Sequence, residues 1–217
     1  MVLRIENPFE QMFETSKMFN FGLGRLAEPL SFSGGGVSDD EGGNITDNPP
    51  VTEELYEYND AATFTIQRIE GNDWQAQTFT VGTVGDDENF NISKATIYCR
   101  RATAEGSGIL TFAIKAVDGN GKPTGADLST GTIDTMDISK DVYAWITVEM
   151  SSVQLNASTQ YALVLRTSGS GGGVYAYVSI GNVYTGGGHT LSTDGGSSWG
   201  DISNSYDLLF KIHGNAA

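Results

Sequence analysis

The chain has 217 residues, of which 39% are hydrophobic and 18% are charged. That length and apolar content suit one folded domain with an appendage and argue against global disorder. Glycine, serine and threonine (28, 19 and 21 residues) make up nearly a third of the chain. Because glycine is unfavourable in helices and threonine favours strands, this balance argues against a helical bundle and predicts many short strands joined by tight turns.

Acidic residues outnumber basic ones by 27 to 12, which gives a formal net charge of −15. Phosphate backbones and anionic bilayers attract proteins through Lys and Arg, so we expect no nucleic-acid partner and no membrane partner. No apolar run approaches the roughly 20 residues that cross a bilayer. The single cysteine, Cys99, excludes an intramolecular disulfide and a zinc ribbon.

Residues 1–30 contain the only helix-like pattern in the chain. Asn7 and Pro8 suit the N-cap and the first position of a short helix. Five large apolar side chains follow closely: Phe9, Met12, Phe13, Met18 and Phe19. The segment either packs against its own domain or forms an arm that docks on a partner subunit. We take it as a docking arm, because a linker follows.

The predicted linker spans residues 31–50. It contains three consecutive glycines, the acidic triplet Asp39-Asp40-Glu41, a further glycine pair and Pro49-Pro50. Such a segment is flexible where it is rich in glycine and stiffer at the prolines. Residues 37–60 hold eight acids and no base, and we interpret the acidic triplet as a solvated charge run.

From residue 51 to 217, apolar and polar residues alternate with a period of two. In one stretch Ala95, Ile97 and Cys99 point one way, while the residues between them point the other. Comparable segments are 62–69, 74–81, 110–116, 146–150, 161–165, 174–180 and 208–212. Because each strand then buries one face, we predict an all-β fold: an antiparallel jelly-roll β-sandwich of about eight or nine strands, preceded by an extended or short-helical N-terminal arm.

The sharpest local motif is Ser192–Trp199, which fits the Asp-box pattern S-x-D-x-G-x-[ST]-W. It predicts a hairpin turn in which Asp194 accepts backbone hydrogen bonds, the glycines adopt positive φ and Trp199 packs beneath. Sialidases repeat this motif, but they also need an arginine cluster and a Tyr/Glu pair. This chain has one such motif and six arginines, so the sialidase interpretation fails.

A second loop, Asp118–Gly125, is predicted to be a hairpin loop with a turn at Lys122-Pro123. Its D-x-N-x start matches the start of an EF-hand loop, but Ser129 stands where the bidentate glutamate is needed. We therefore expect no cofactor and no metal site. A low-affinity structural calcium ion, here or at Asp86-Asp87-Glu88, is the remaining alternative.

The sequence holds no recognisable catalytic constellation. The only imidazoles, His189 and His213, are expected at solvent-facing loop or strand-end positions. The sequence contains no zinc-protease motif. We therefore expect that the protein is not an enzyme.

Aromatic residues are the better indicator of function. Tyr175, Tyr177, Tyr184 and Trp199 lie in the glycine-rich region 171–200. Aromatic rings on the loops of a sandwich often bind sugars by stacking, which makes these four the candidate glycan-binding residues. The open alternative is that Tyr175 and Tyr177 share one strand face and simply pack.

Several segments, taken in order, resemble a known family. They are Ala76–Thr80, Ile92–Tyr98, Leu110–Ala116, Asp118–Gly125, Ala126–Ile133, Trp145–Val148, Tyr161–Leu165 and Ser192–Trp199. Together they resemble the jelly-roll, carbohydrate-binding-module-like β-sandwiches of microbial cell-surface proteins and phage virion proteins. The resemblance covers about residues 74–213 and implies a non-catalytic recognition or structural module, without catalytic residues to transfer.

We therefore expect a non-enzymatic virion structural protein: a capsid decoration, head-fibre or tail-associated subunit. Its arm would dock on other virion proteins, such as capsid or tail subunits. Its sandwich would project from the virion surface as part of a homo-oligomer, available to a host-surface glycan. The first residues lack the pattern of a secretory signal, which suits assembly in the host cytoplasm. The alternative is a cell-surface carbohydrate-binding module or surface-layer component.

Overall fold

The structure, a computed structural model, describes residues 52–61, 63–102, 107–168 and 172–217. These residues form thirteen β-strands and one short 3₁₀ turn, Thr135–Asp137. The strands are β1 Glu54–Asn59, β2 Phe64–Ile69, β3 Trp74–Thr80, β4 Phe90–Arg101, β5 Ile109–Val117, β6 Pro123–Asp134, β7 Ala144–Glu149, β8 Gln154–Leu155, β9 Gln160–Thr167, β10 Val174–Ile180, β11 His189–Ser192, β12 Tyr206–Leu208 and β13 Phe210–Ala216.

The predicted N-terminal elements lie outside the described residues. They are the docking arm, 1–30, and the linker, 31–50. The arm's proposed contact side chains lie outside them as well: Phe9, Met12, Phe13, Met18 and Phe19. The described chain begins at Thr52, two residues before β1, so the structure bears on the predicted sandwich domain of residues 51–217.

The strands pair antiparallel in two sheets. The central order is β1–β13–β4–β7 in the eight-stranded sheet and β3–β9–β5–β6 in the five-stranded sheet. Along the chain these eight strands cross repeatedly from one sheet to the other, which is the strand order of a jelly roll. The predicted fold class, an all-β antiparallel jelly-roll sandwich, is confirmed.

Thirteen strands among the described residues exceed the predicted eight or nine. β10 continues the eight-stranded sheet beside the end of β4, and β2 and β12 pair with β10. β8 pairs with the start of β4, and β11 adds an edge strand beside β3. The short strands β8, β11 and β12 have only two, four and three residues, too few to show a period in the sequence.

The core lies between the two sheets, as the period-two alternation predicts. Ala95, Ile97 and Cys99 of β4 are fully buried, whereas Tyr98 and Arg100 of the same strand are half-buried on its outer face. Four phenylalanine side chains of the core are fully buried: Phe79, Phe90, Phe112 and Phe210. Each such ring stabilises the fold by roughly 1.5–3 kcal/mol relative to an exposed one.

A second, smaller apolar cluster covers the outer face of the five-stranded sheet. Its buried members are Ala76, Ala113, Ala162 and Val164. The half-buried rings of Trp74 and Trp199 pack against them. Trp199, the last residue of the Asp-box motif, thus packs on this cluster, and the ring that lies against Gly196 of the turn is that of Trp74.

The loop after β5 is a tight hairpin, which confirms the predicted hairpin loop. The Asp118 carboxylate accepts hydrogen bonds from the amides of Asn120 (2.8 Å) and Lys122 (2.9 Å). The backbone bond from Lys122 is the larger cause of a lowered pKa for Asp118. The expected turn at Lys122-Pro123 is wrong in one detail: Pro123 is the first residue of β6, a position where a strand tolerates a missing N–H.

The Asp-box turn has the hydrogen bonds that its sequence predicts. The Asp194 carboxylate accepts bonds from the Ser198 hydroxyl (2.6 Å), the Ser198 amide (2.8 Å) and the Ser192 hydroxyl (2.7 Å). These bonds, led by the Ser198 hydroxyl, lower the pKa of Asp194 to about 2. Gly195 and Gly196 adopt φ values of +70° and +82°, and a Cβ atom on Gly196 would overlap the Trp74 ring.

Candidate functional site

The most distinctive exposed surface lies on the outer face of the eight-stranded sheet. Five aromatic side chains meet there, and we call them the aromatic face: Phe64, Tyr98, Tyr143, Trp145 and Tyr177. Strand pairing brings them together, because β10 pairs with both β2 and β4, and β7 pairs with β4 along its other edge. A single sheet face thus collects rings from β2, β4, β10 and the start of β7.

The rings of the aromatic face stack on one another. Tyr177 lies between Phe64 and Tyr143, with ring centroids 4.0 and 4.1 Å away and near-parallel planes. Tyr98 packs at tilted angles against Tyr177 (5.2 Å) and Trp145 (5.3 Å). Burial, and then the neighbouring tyrosine hydroxyls, raise the pKa of Tyr177. Because both faces of the Tyr177 ring are covered, that ring offers only its edge and hydroxyl to a partner.

Two cations border the aromatic face. The Arg100 guanidinium lies 5.0 Å from the Tyr143 ring centroid and 5.1 Å from that of Tyr175. The Lys211 amine lies 4.4 Å from the Trp145 ring centroid. Within the described residues, neither cation has a carboxylate at ion-pair distance. Both make cation–π contacts, and the Arg100 guanidinium also donates hydrogen bonds to the carbonyl oxygens of Arg101 (3.2 Å) and Lys140 (3.0 Å).

Large apolar side chains are exposed across this surface. Phe64 is 43% exposed, Ile66 45%, Val142 63% and Trp145 36%. Ile66 is the cross-strand neighbour of Tyr177, so its exposed side chain extends the aromatic face. A continuous exposed apolar patch marks an interaction site, and tyrosine, tryptophan and arginine are the residue types enriched in interface hot spots.

The structure separates the four predicted glycan-binding residues. Tyr175 and Tyr177 share the outer face of β10, as the packing alternative expects. Trp199 packs on the outer face of the five-stranded sheet. Tyr184 is only 2% exposed, and its hydroxyl donates to the Glu57 carboxylate at 2.7 Å. The four rings therefore do not form one surface.

The sequence interpretation overlooked most of the aromatic face. Tyr98 and Arg100 stood in outward positions of a predicted strand, opposite the core residues. A search for aromatic residues at outward strand positions would have found Tyr98 and Trp145. Phe64 and Tyr143 carry no such signal, because one starts a strand and the other precedes one.

Two carboxylates are fully buried near Tyr184. Glu57 accepts hydrogen bonds from the Tyr184 hydroxyl (2.7 Å) and the Thr83 amide (2.8 Å). Asp207 accepts bonds from the Gln77 side chain (3.0 Å) and the Tyr184 amide (3.2 Å). Burial raises the pKa of both carboxyls. Because neither is exposed, we assign them a structural role: they tie the loop that contains Tyr184 to the core.

The expectation that His189 faces solvent is wrong. His189 begins β11, is 4% exposed and has its Nε2 atom 2.7 Å from the Gln75 Oε1 atom. Burial lowers its pKa to about 4, so the ring is neutral at pH 7. The pairing of β11 with β3 accounts for the burial. His213 is half-buried near the end of β13.

Two of the carboxylates considered for calcium are held in hydrogen bonds. Asp118 accepts the two amides of its own turn, and Asp87 accepts both the amide and the hydroxyl of Ser158, each at 2.6 Å. Within the described ranges, no three His, Cys, Asp or Glu side chains are grouped so that they could hold a metal ion.

In the part of the chain that the structure describes, no helix has the length and apolar character needed to cross a membrane. No protein-family model matches the chain, and a search of curated proteins finds no match.

Proposed function

We propose that this protein is a non-enzymatic structural subunit of a virion, and that its sandwich associates with neighbouring copies through the aromatic face. The observation that carries the proposal is the concentration, on one outer sheet face, of exposed rings and of two cations that have no carboxylate partner among the described residues, in a chain of net charge −15. Residues 1–30 anchor the subunit to other virion proteins, such as capsid or tail subunits. The sandwich is then displayed on the virion surface.

The apolar part of the aromatic face suits a protein contact. Phe64 and Trp145 are exposed at the two ends of the stack, and burying such rings at the centre of an interface is typically worth about 2 kcal/mol or more each. Stacking already holds Tyr177 between Phe64 and Tyr143. A partner therefore meets a preorganised surface, and little side-chain entropy is lost on association.

The charges of the aromatic face suit a second copy of the chain. Arg100 and Lys211 have no carboxylate partner among the described residues. Another copy offers an excess of carboxylates, since the chain has 27 acids and 12 bases. A carboxylate brought to either cation would form a charge-assisted hydrogen bond, which is stronger than a neutral one.

The virion assignment is supported by the leading segment and by the family resemblance. An apolar segment followed by a glycine-rich acidic linker suits attachment to a shell while the sandwich projects outward. The family that the sequence resembles includes phage virion proteins. The alternative, a cell-surface carbohydrate-binding module or surface-layer component, requires that Tyr175, Tyr177, Tyr184 or Trp199 bind glycan.

Self-association can be measured by sedimentation velocity on the full-length chain over a range of concentrations. We expect oligomers that dissociate on dilution. Trp145→Ala removes an exposed ring, and Lys211→Glu reverses a bordering charge. Each should weaken self-association by about thirtyfold, which corresponds to roughly 2 kcal/mol for a hot-spot residue.

The matched control is Leu191→Ala. Leu191 is 40% exposed, similar to Trp145, but it belongs to β11 of the other sheet. We expect this variant to associate like the wild type. The assigned contact would be contradicted if the wild-type chain stays monomeric at its highest soluble concentration. It would also be contradicted if the Leu191→Ala control self-associates as weakly as the Trp145→Ala variant.

Anchoring by the leading segment predicts a separate result. The full-length chain should co-sediment with purified virions in a density gradient. A variant without residues 1–30 should remain in the unassembled fraction while its circular dichroism still shows β structure. Purified virions that lack the chain, or that incorporate the truncated variant equally, would show that the anchoring assignment is wrong.

A further inference from the structure

Strand β2 lies at an edge of the eight-stranded sheet. Among the described strands it pairs only with β10. On that side the Ile180 amide donates to the Thr63 carbonyl oxygen at 3.0 Å. Because hydrogen-bonded and non-hydrogen-bonded residues alternate along an antiparallel pair, every second residue of β2 directs its backbone groups away from β10. These outward-directed residues are Phe64, Ile66 and Arg68.

Most of these outward backbone groups are unpaired. The Arg68 carbonyl oxygen accepts a hydrogen bond from the Gln75 side chain at 3.0 Å, which closes the edge at that end. Within the described ranges, no hydrogen bond reaches the outward N–H or C=O group of Phe64 or of Ile66. A row of free donors and acceptors on an edge strand is a template for pairing with another strand.

Two other edge strands contrast with β2, because loops of the same chain cover them. Beyond β11, the Gly200 amide donates to the Leu191 carbonyl oxygen at 2.9 Å. Beyond β6, the Ser151 amide donates to the Thr130 carbonyl oxygen, also at 2.9 Å. No comparable loop covers β2 in the part of the chain that the structure describes.

The open edge also lacks the features that keep edge strands apart. Proteins protect such strands with lysine, proline or a β-bulge. Residues 63–67 contain no charged residue and no proline, and β2 pairs with β10 without a shift in register. Phe64 and Ile66 are 43% and 45% exposed. The edge is therefore regular, apolar and unprotected, as expected of a strand that pairs with a partner.

We propose that β2 pairs with β2 of a second copy, antiparallel and centred on Thr65, so that the eight-stranded sheet continues from one copy into the other. In this register Phe64 of each copy lies opposite Ile66 of the other. Each unpaired N–H group of the two residues then meets an unpaired C=O group. The side chains match as well, because an aromatic ring opposite a β-branched side chain stabilises an antiparallel pair.

The charges around the edge favour a second copy of β2 as the added strand. Two chains of net charge −15 repel each other, so they associate best where neither presents a carboxylate. Residues 63–67 meet this condition in both copies. Arg68, which follows them, forms an ion pair with Glu70 of its own copy. The acidic segment 37–60, by contrast, would bring carboxylates against the apolar side chains of β2.

The edge contact differs from the self-association contact proposed above. That contact uses side chains of the aromatic face, including Trp145 of β7, and β10 and β4 lie between β2 and β7. The edge contact uses backbone groups of β2. Either contact can form without the other, and a subunit that makes both assembles beyond a dimer.

The test is disulfide formation between copies of the full-length Thr65→Cys variant under copper-catalysed air oxidation, read on a non-reducing gel. Pairing centred on Thr65 places the two introduced cysteines opposite each other, with Cα atoms about 4.5 Å apart, which is within disulfide reach. The matched control is Gln67→Cys, because Gln67 is also half-buried on the same side of β2. Its two copies would lie roughly 13 Å apart and should not cross-link. Cys99 is fully buried and does not compete.

Two further variants, each combined with Thr65→Cys, separate the edge from the aromatic face. Ile66→Lys places a charge on the edge and should reduce the yield of cross-linked dimer by at least about tenfold. Trp145→Ala should leave that yield unchanged. In the wild type, amide exchange followed by NMR should show the Ile66 amide exposed in dilute protein and protected in concentrated protein.

The edge contact is overturned if Thr65→Cys does not cross-link, or if Gln67→Cys cross-links equally well. It is also overturned if the Ile66 amide is protected at every concentration, because a segment of the same copy then covers β2. Loss of cross-linking with Trp145→Ala would overturn it as well. Self-association that Trp145→Ala weakens, without cross-linking at Thr65→Cys, would support the aromatic-face contact and exclude the edge contact.

Discussion

Replacing Phe210 with alanine should lower the free energy of unfolding by about 3–5 kcal/mol, a large share of the roughly 5–15 kcal/mol that a domain possesses. Phe210 is fully buried in β13. Its ring lies edge-on to Tyr184, with centroids 5.2 Å apart, and 6.2 Å from the Phe79 ring centroid. Removal of the ring leaves a cavity between two hydrogen-bonded sheets, which cannot move together freely to fill it.

Urea denaturation followed by tryptophan fluorescence measures this loss. The matched control is Phe64→Ala, because Phe64 is also a stacked phenylalanine but is 43% exposed on the aromatic face. Its removal should change the free energy of unfolding by about 1 kcal/mol or less. Equal losses in the two variants would show that the space between the sheets is not the stabilising core.

The Glu57→Gln variant should gain stability relative to the wild type as the pH rises. Burial raises the pKa of Glu57 above its ordinary value of 4.5. Between that value and the raised pKa, the folded protein keeps a proton that the unfolded chain has released. Wild-type stability therefore falls with rising pH through this window, by about 1.4 kcal/mol per pH unit. Glutamine does not titrate, and its side-chain carboxamide can still form hydrogen bonds with the Thr83 backbone amide and the Tyr184 hydroxyl.

Unfolding free energies of both proteins, measured from roughly pH 2 to pH 8, test this expectation. The control is Asp194→Asn, because the Asp194 carboxyl changes stability with pH in the opposite direction to Glu57. Hydrogen bonds from Ser198 and Ser192 lower the pKa of Asp194 to about 2. Its carboxylate therefore stabilises the folded protein above the ordinary pKa of 3.8, and that contribution is lost as the pH falls toward 2. If the difference in unfolding free energy between the wild type and Glu57→Gln does not vary with pH, Glu57 does not titrate as its burial requires.

Strands with strong alternation were predictable, whereas strands formed by pairing alone were not. The predicted segment 174–180 coincides with β10, Val174–Ile180, because buried and half-buried residues alternate from Val174 to Val178. β6, Pro123–Asp134, escaped prediction although it is one of the longest strands. It is rich in glycine, serine and threonine and has little apolar alternation, so its pairing with β5 makes it a strand.

The candidate site was predictable only in part. The idea that Tyr175 and Tyr177 share one strand face follows from their spacing, and the structure has them on the same face of β10. Which other rings meet Tyr177 depends on strands distant in sequence, since Phe64 comes from β2 and Tyr143 precedes β7. The placement of Tyr184 in the core depends on the same long-range pairing, because a loop tyrosine has no local signal of burial.

By itself, the sequence determined that this chain forms an antiparallel β-sandwich with tight turns, since burial of every second residue and the conformational needs of turns are local properties. Only the tertiary structure decided which outward side chains become neighbours. The aromatic face is assembled from several segments of the chain, and its formation depends on strand order and register. Those are set by the packing of the two sheets as a whole, not by any single segment.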